Sequence, residues 1–160
     1  MASRSAADGP RPHAVHAVHA PHAPHAQIVL ALLGALSVLP PYLGPPLGLE
    51  LNVAADVEVV DHVVPGVAVA VCAVLAALLV RRDATAQESA PVLALTGICF
   101  LAGLWQVATH VPLVLEGGQS QSPWDSVLLH SSLGPPILAI ALWLTLRATS
   151  ADSAEVSHSR

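Results

Sequence analysis

Apolar residues in this chain fall into four long blocks separated by short polar runs, and each block is too uniformly apolar for one face of a water-soluble helix. The blocks lie at 28–49, 63–80, 90–115 and 122–146. A helix of about 20 apolar residues crosses a hydrocarbon core of about 30 Å, so each block is a candidate span.

In the first block the helix is predicted to end at Leu39, because Pro40-Pro41 removes two donors and Pro45-Pro46 repeats the break. The helical part then rises roughly 18 Å, and an extended PPYLG segment supplies the rest of the crossing. A cleaved signal sequence is the alternative for this block. No A-x-A site follows the apolar run, so an uncleaved span is expected.

The second block stops at Arg81-Arg82-Asp83. The third is preceded by Thr85-Ala86-Gln87-Glu88, which has the spacing of a capping box. The fourth opens with Ser122-Pro123-Trp124-Asp125, an N-cap serine followed by a proline at the first helical position. Gly134-Pro135-Pro136 is expected to kink it before it stops at Arg147. The predicted fold is all-α: a four-helix transmembrane bundle over 28–147, a disordered His-rich tail at 1–27 and a short polar tail at 148–160.

Composition supports the same class. Only 11% of residues are charged, 54% are hydrophobic and the mean hydropathy is +0.64. A soluble domain carries about a quarter charged residues. The net charge of −5 excludes nucleic acid as a partner, since phosphates need a basic face. The partners implied are the lipid bilayer, the other subunits of a membrane complex or a second copy of the chain.

Arginine placement sets the orientation. Arg4, Arg11, Arg81, Arg82, Arg147 and Arg160 all fall on one side of a four-span bundle. Positive charge stays in the cytoplasm, which puts both termini there in a plasma membrane, as in a bacterial inner membrane. The opposite segments carry Glu50, Asp56, Glu58, Asp61, Glu116 and Asp125, an acidic outer mouth that attracts cations.

Candidate chemistry collects at that mouth. His62 is 19 residues from Arg81, His110 is 20 from Ala90 and His130 is 17 from Arg147. At about 1.5 Å per residue, the three imidazoles share one layer about 5 Å thick. Each also ends a stripe of small or weakly polar residues: Gly66, Ala70, Ala73 and Ala77 below His62; Gln106, Gly103, Cys99 and Thr96 below His110; Ser126, Gly134, Ala141 and Thr145 around His130. Such stripes mark helix contacts in membranes.

Imidazoles from separate helices at one depth can hold a metal ion or a haem. The donor set favours zinc, copper or iron, with Glu58 or Asp61 as an extra ligand or an orienting group, and Gln106 and Ser126 beside the ligands. Haem b, with two of the histidines as axial ligands and Gly66, Gly103 and Gly134 making room, is one alternative. The other is a non-catalytic accessory subunit whose histidines only bond to carbonyls and headgroups.

Two further features carry less. His13, His16, His19, His22 and His25 recur every third residue, the period of polyproline II, and would form a weak metal-binding ridge. Repeat slippage explains the same pattern. Cys72 and Cys99 lie at mid-membrane depth and read as small buried hydrophobes, with Cys72 off the small-residue stripe. There is no nucleophile elbow, P-loop, HExxH or dinucleotide motif.

The orientation is testable in whole cells. Single cysteines at 45–60 or 116–122 are expected to react with an impermeant maleimide, and single cysteines at 82–89 only after permeabilisation. Labelling of the 82–89 positions in intact cells would overturn the inside placement.

Overall fold

The computed structural model describes residues 23–48, 54–116 and 124–158, and among these every element is helical. Three continuous helical stretches are long and apolar enough to cross a membrane: Asp56–Arg82, Ala90–Pro112 and Trp124–Ser150. A fourth exists if helix α1 (Ala23–Ser37) and helix α2 (Pro40–Leu47), bent by 50°, form one broken span.

Helix α1 starts inside the segment expected to be a polar tail. Ala23, Gln27, Leu30, Gly34 and Ser37 are its buried residues. Their alternating steps of four and three form a seam along one face, so Ala23–Gln27 are held by packing despite their polar sequence. His25 sits on this helix. It therefore cannot extend a polyproline II ridge, while His13, His16, His19 and His22 lie outside the described residues.

The PPYLG segment is helical, not extended. Pro40 and Pro41 occupy the first turn of α2, where a missing N–H leaves no bond unmade. Leu39 N–H instead closes on Leu36 O at 3.0 Å, which ends α1 and creates the bend. Gly48, at φ 68°, then stops α2 with its N–H on Pro45 O at 3.1 Å.

The second span also begins earlier than expected. Helix α3 (Ala55–Glu58), a π turn (Val59–Val63) and helix α4 (Val64–Arg82) are continuous, so Glu58 and Asp61 belong to the span and not to a loop. The π turn lies directly before Pro65, which has no N–H to give Asp61 O in an α register.

A 3-10 turn (Ala84–Glu88) follows. Here Thr85 does not cap the next helix: its N–H and hydroxyl both donate to Asp83 Oδ1, at 2.9 and 2.7 Å. The Thr85 hydroxyl and then its N–H hold the Asp83 carboxyl below the usual range. Helix α5 (Ala90–Glu116) is the longest element and carries Pro112 near its end.

Helix α6 (Trp124–Ser131) and helix α7 (Gly134–His158) form the last span, interrupted where Gly134-Pro135-Pro136 predicts a kink. Ser122 and Pro123, the expected cap, lie outside the described residues. Helix α7 continues past Arg147 to His158 where a polar tail was expected.

The four long helices close a ring in which α1 packs on α4, α4 on α5, α5 on α7 and α7 back on α1. Leu30, Val69, Ala73, Cys99, Ile137, Ala141 and Leu144 fill its centre. Leu32, Val71, Leu101 and Leu142 face outward, as lipid contact requires. Arg81 and Arg82 end α4, and Arg147 lies near the same end on α7. The opposite end carries the three histidines.

Backbone contact sets the spacing of α1 and α4. A Cβ on Gly34 would stand 2.6 Å from Ala70 N and 2.8 Å from Gly66 O, and one on Gly66 would stand 2.8 Å from Gly34 O. No side chain fits there without moving a helix. Gly34→Leu should lower stability by at least the roughly 1–3 kcal/mol typical of overpacking. Gly97→Ala, where a Cβ meets nothing within 4 Å, is the control. Thermal aggregation in detergent measures both, and equal midpoints for the two variants would exclude the close crossing.

Candidate functional site

The buried polar residues of this bundle form two groups, one near each end. At the histidine end, His62 from the π turn, His110 from α5 and His130 from α6 converge with 3%, 4% and 4% exposure. The His62 and His110 ring centres are 4.8 Å apart, and those of His62 and His130 are 5.3 Å apart. The shared depth that residue counting predicts brings these imidazoles into direct contact.

Hydrogen bonds fix two of the tautomers. His110 Nδ1 lies 2.7 Å from Gln106 O, and His130 Nδ1 lies 2.8 Å from Ser126 O. A carbonyl can only accept, so both Nδ1 atoms carry the proton. Each neutral ring therefore presents an unprotonated Nε2. His62 Nε2 is 3.2 Å from His110 Nε2, so in the neutral protein His62 donates this bond.

His130 Nε2 has no such donor. Its side chain is 1% exposed, it makes no hydrogen bond, and its nearest acidic neighbour is Glu58 Oε1 at 3.7 Å. Two acceptors facing each other in a buried site are unfavourable unless a hydrogen-bond donor or a cation lies between or beside them. Glu58 thus meets His130 on another helix, although by sequence it stands one turn from His62. The widened π turn takes one more residue per turn and shifts Glu58 around the axis relative to His62.

The other nominated residues divide. Gln106 supports the layer from below: its amide donates to Ser37 Oγ on α1, and its backbone carbonyl holds His110. Gln106 Oε1 and Ser126 Oγ are buried without partners. Asp61 is half-buried next to His62 and makes no hydrogen bond to the histidines among the described residues. Asp56 and Asp125 are exposed. Glu50 lies outside the described residues, and the Glu116 side chain is not among those described.

With the side chains as they stand, no group of three or more His, Cys, Asp or Glu among the described residues is arranged to hold a metal ion. The rings share a layer and touch, but their free nitrogens do not all point at one position.

The second polar group lies nearer the arginine end. Gln27, 1% exposed, donates to Thr96 Oγ1 at 3.3 Å, and its own Oε1 is unpartnered. Neither Gln27 nor Ser37 was a sequence candidate. Extending the small-and-polar stripe test to α1 would have found both, because they share its buried seam. Cys72 and Cys99 are both buried in the core, as small hydrophobes are expected to be, and Cys99 Sγ lies 3.7 Å from Val69 O.

The Ser37–Gln106 bond ties the end of α1 to the helix that carries His110. A double-mutant cycle of Ser37→Ala and Gln106→Leu should give a coupling of about 0.5–1.5 kcal/mol in detergent unfolding. Additive losses would mean that the two side chains do not interact.

Comparison of the chain with protein-family models, with curated proteins and with solved structures gives no match, so the chemistry of these side chains is the ground for a functional reading.

Proposed function

We propose that this chain is a multi-pass integral membrane protein that binds a transition-metal ion at its outer face, in metal sensing, delivery or use. His62, His110 and His130 are its ligands, and Glu58 is an extra ligand or an orienting group. Both termini are cytoplasmic in the plasma membrane, on the strength of the arginines at one end of the bundle.

The observation that carries the reading is the buried His130 Nε2, which has no hydrogen-bond partner among the described residues and lies 3.7 Å from Glu58 Oε1. Three features support an ion over a plain polar cluster. Tying Nδ1–H to a carbonyl is how proteins orient a metal-binding imidazole and leave Nε2 as the donor. The 3.2 Å between His62 and His110 Nε2 is close to the edge of a tetrahedron around zinc, about 3.3 Å for bonds of about 2.0 Å. Zinc, copper and iron all accept this nitrogen and oxygen set. Because the donors do not yet converge, binding requires at least one ring to turn, and His130 is the one with no bond on its Nε2.

Haem b fits less well. The 3.2 Å separation leaves no room for a macrocycle between His62 and His110. Gly66 and Gly103 are occupied by backbone contacts with α1 and α7, and Gly134 packs on Gln106 and Val107. The glycines proposed as haem space are helix crossings.

Elemental analysis of the protein purified after growth with zinc, copper or iron tests the proposal, with a visible spectrum to detect a Soret band. Each single His→Ala substitution should remove most of the bound metal, and the triple variant should lose little more than the worst single one. Glu58→Gln should weaken binding by about 10–100-fold if the carboxylate only orients a ligand, and as much as a histidine loss if it is one. A metal-free protein that neither binds added ion nor responds to these substitutions would leave the layer as an assembly contact of an accessory subunit.

A further inference from the structure

Near the arginine end, the seam between α1 and α7 opens outward as an apolar groove of about 440 Å³, lined by Ala26, Val29, Ala139, Ile140 and Trp143. The wall is hydrocarbon apart from the Trp143 indole N–H. One turn further along α7, the Arg147 guanidinium carbon lies 4.7 Å above the centre of the Trp143 ring. The aromatic face holds the arginine at the mouth of the groove and leaves its N–H donors free to face outward.

Among the described residues no carboxylate lies within ion-pair distance of Arg147, and the one such contact to a carboxylate is that of His130 with Glu58, at the far end of the bundle. The helices run antiparallel, and Ala26 shares the groove with Trp143, so the first turn of α1 lies at the level of Arg147. A similar groove between α4 and α5, lined in part by Val64, Ile98 and Trp105, has no arginine at its end.

An apolar channel that ends in a guanidinium held over an aromatic face matches one chemistry: a hydrocarbon chain attached to a phosphate. We infer that the α1–α7 groove binds a net-anionic phospholipid, with one acyl chain along Ala139 and Ile140 and the phosphate on Arg147. From Ala139 to Arg147 the helix rises about 12 Å, so the groove takes the headgroup-proximal part of the chain. Arginine binds phosphate through two parallel N–H bonds, and a lipid without its own ammonium leaves that pairing uncontested. The inference rests on the membrane reading above but not on the metal site.

Native mass spectrometry of the full chain tests it, after detergent delipidation and addition of phosphatidylglycerol or phosphatidylcholine with the same acyl chains. Phosphatidylglycerol should be retained over phosphatidylcholine by about tenfold, the worth of one charge-assisted hydrogen bond. Arg147→Gln should abolish the preference and leave acyl binding equal for the two lipids. Arg82→Gln, which removes an exposed arginine from the end of α4, should leave it intact. Ala139→Trp should fill the groove and reduce retention of both lipids.

Equal retention by the wild-type chain, or a preference that survives Arg147→Gln, would overturn the site. Displacement of the lipid by millimolar inorganic phosphate would reassign it to a free-phosphate site, and a dimer that forms on delipidation would give the groove to a second copy. A chain soluble without detergent would sink the membrane reading, whereas a detergent-dependent chain with no lipid preference sinks this inference alone.

Discussion

Direct backbone contact between helices is the constraint from which the rest of this structure follows. Lipid tails are as apolar as leucine, so apolar burial alone does not draw one spanning helix to another. Attraction has to come from close packing and from polar groups that meet inside. Gly34 against Gly66 brings α1 and α4 together, and Gly103 does the same for α5 and α7, where a Cβ would stand 2.8 Å from Leu138 N. Gly134 lets α7 approach α5 at Gln106 and Val107. Only at these separations can a glutamine on α5 reach a serine on α1, or a histidine on α5 reach one in the π turn.

The same tight crossings divide the interior. Gln27 and Thr96 form one polar station, and the histidines with Gln106, Ser37, Ser126 and Glu58 form another. Between them α5 presents Gly103, packed on the α7 backbone with no space for even a methyl group. At this crossing α5 and α7 leave no gap between the two polar stations.

Much of the architecture was legible because helix geometry converts residue counts into depth. Counting from Arg81, Ala90 and Arg147 put three histidines in one layer without knowledge of how the helices pack, since the rise per residue is nearly constant. The burial of Gly103, Cys99 and Thr96 below His110 follows from side-chain size on one helical face. Rules applied one residue at a time did worse. Proline read as a breaker made PPYLG extended, whereas proline in a first turn costs a helix nothing. Thr85 looked like a cap because Glu88 follows at the right spacing, but Asp83 lies closer and takes both of its donors. Gln27 was assigned to a tail by its polar neighbours, when its own position on the α1 seam decides its burial.

What residue counting cannot reach is the direction in which a ring nitrogen points. That depends on the π turn before Pro65, which alters the angular relation of Glu58 and His62, and on two carbonyls that each sit one turn before the histidine they hold. With neutral rings those two bonds make His110 and His130 acceptors at Nε2, while His62 alone is left to supply a proton between neighbours. One proton cannot serve both acceptors at once: His110 is 3.2 Å from His62 Nε2 and receives it, and His130 is left facing a carboxylate. A donor or a cation at that nitrogen would complete the layer. On the proposed reading that group is a transition-metal ion, and the same three Nε2 atoms, once turned toward one point, would be its donors.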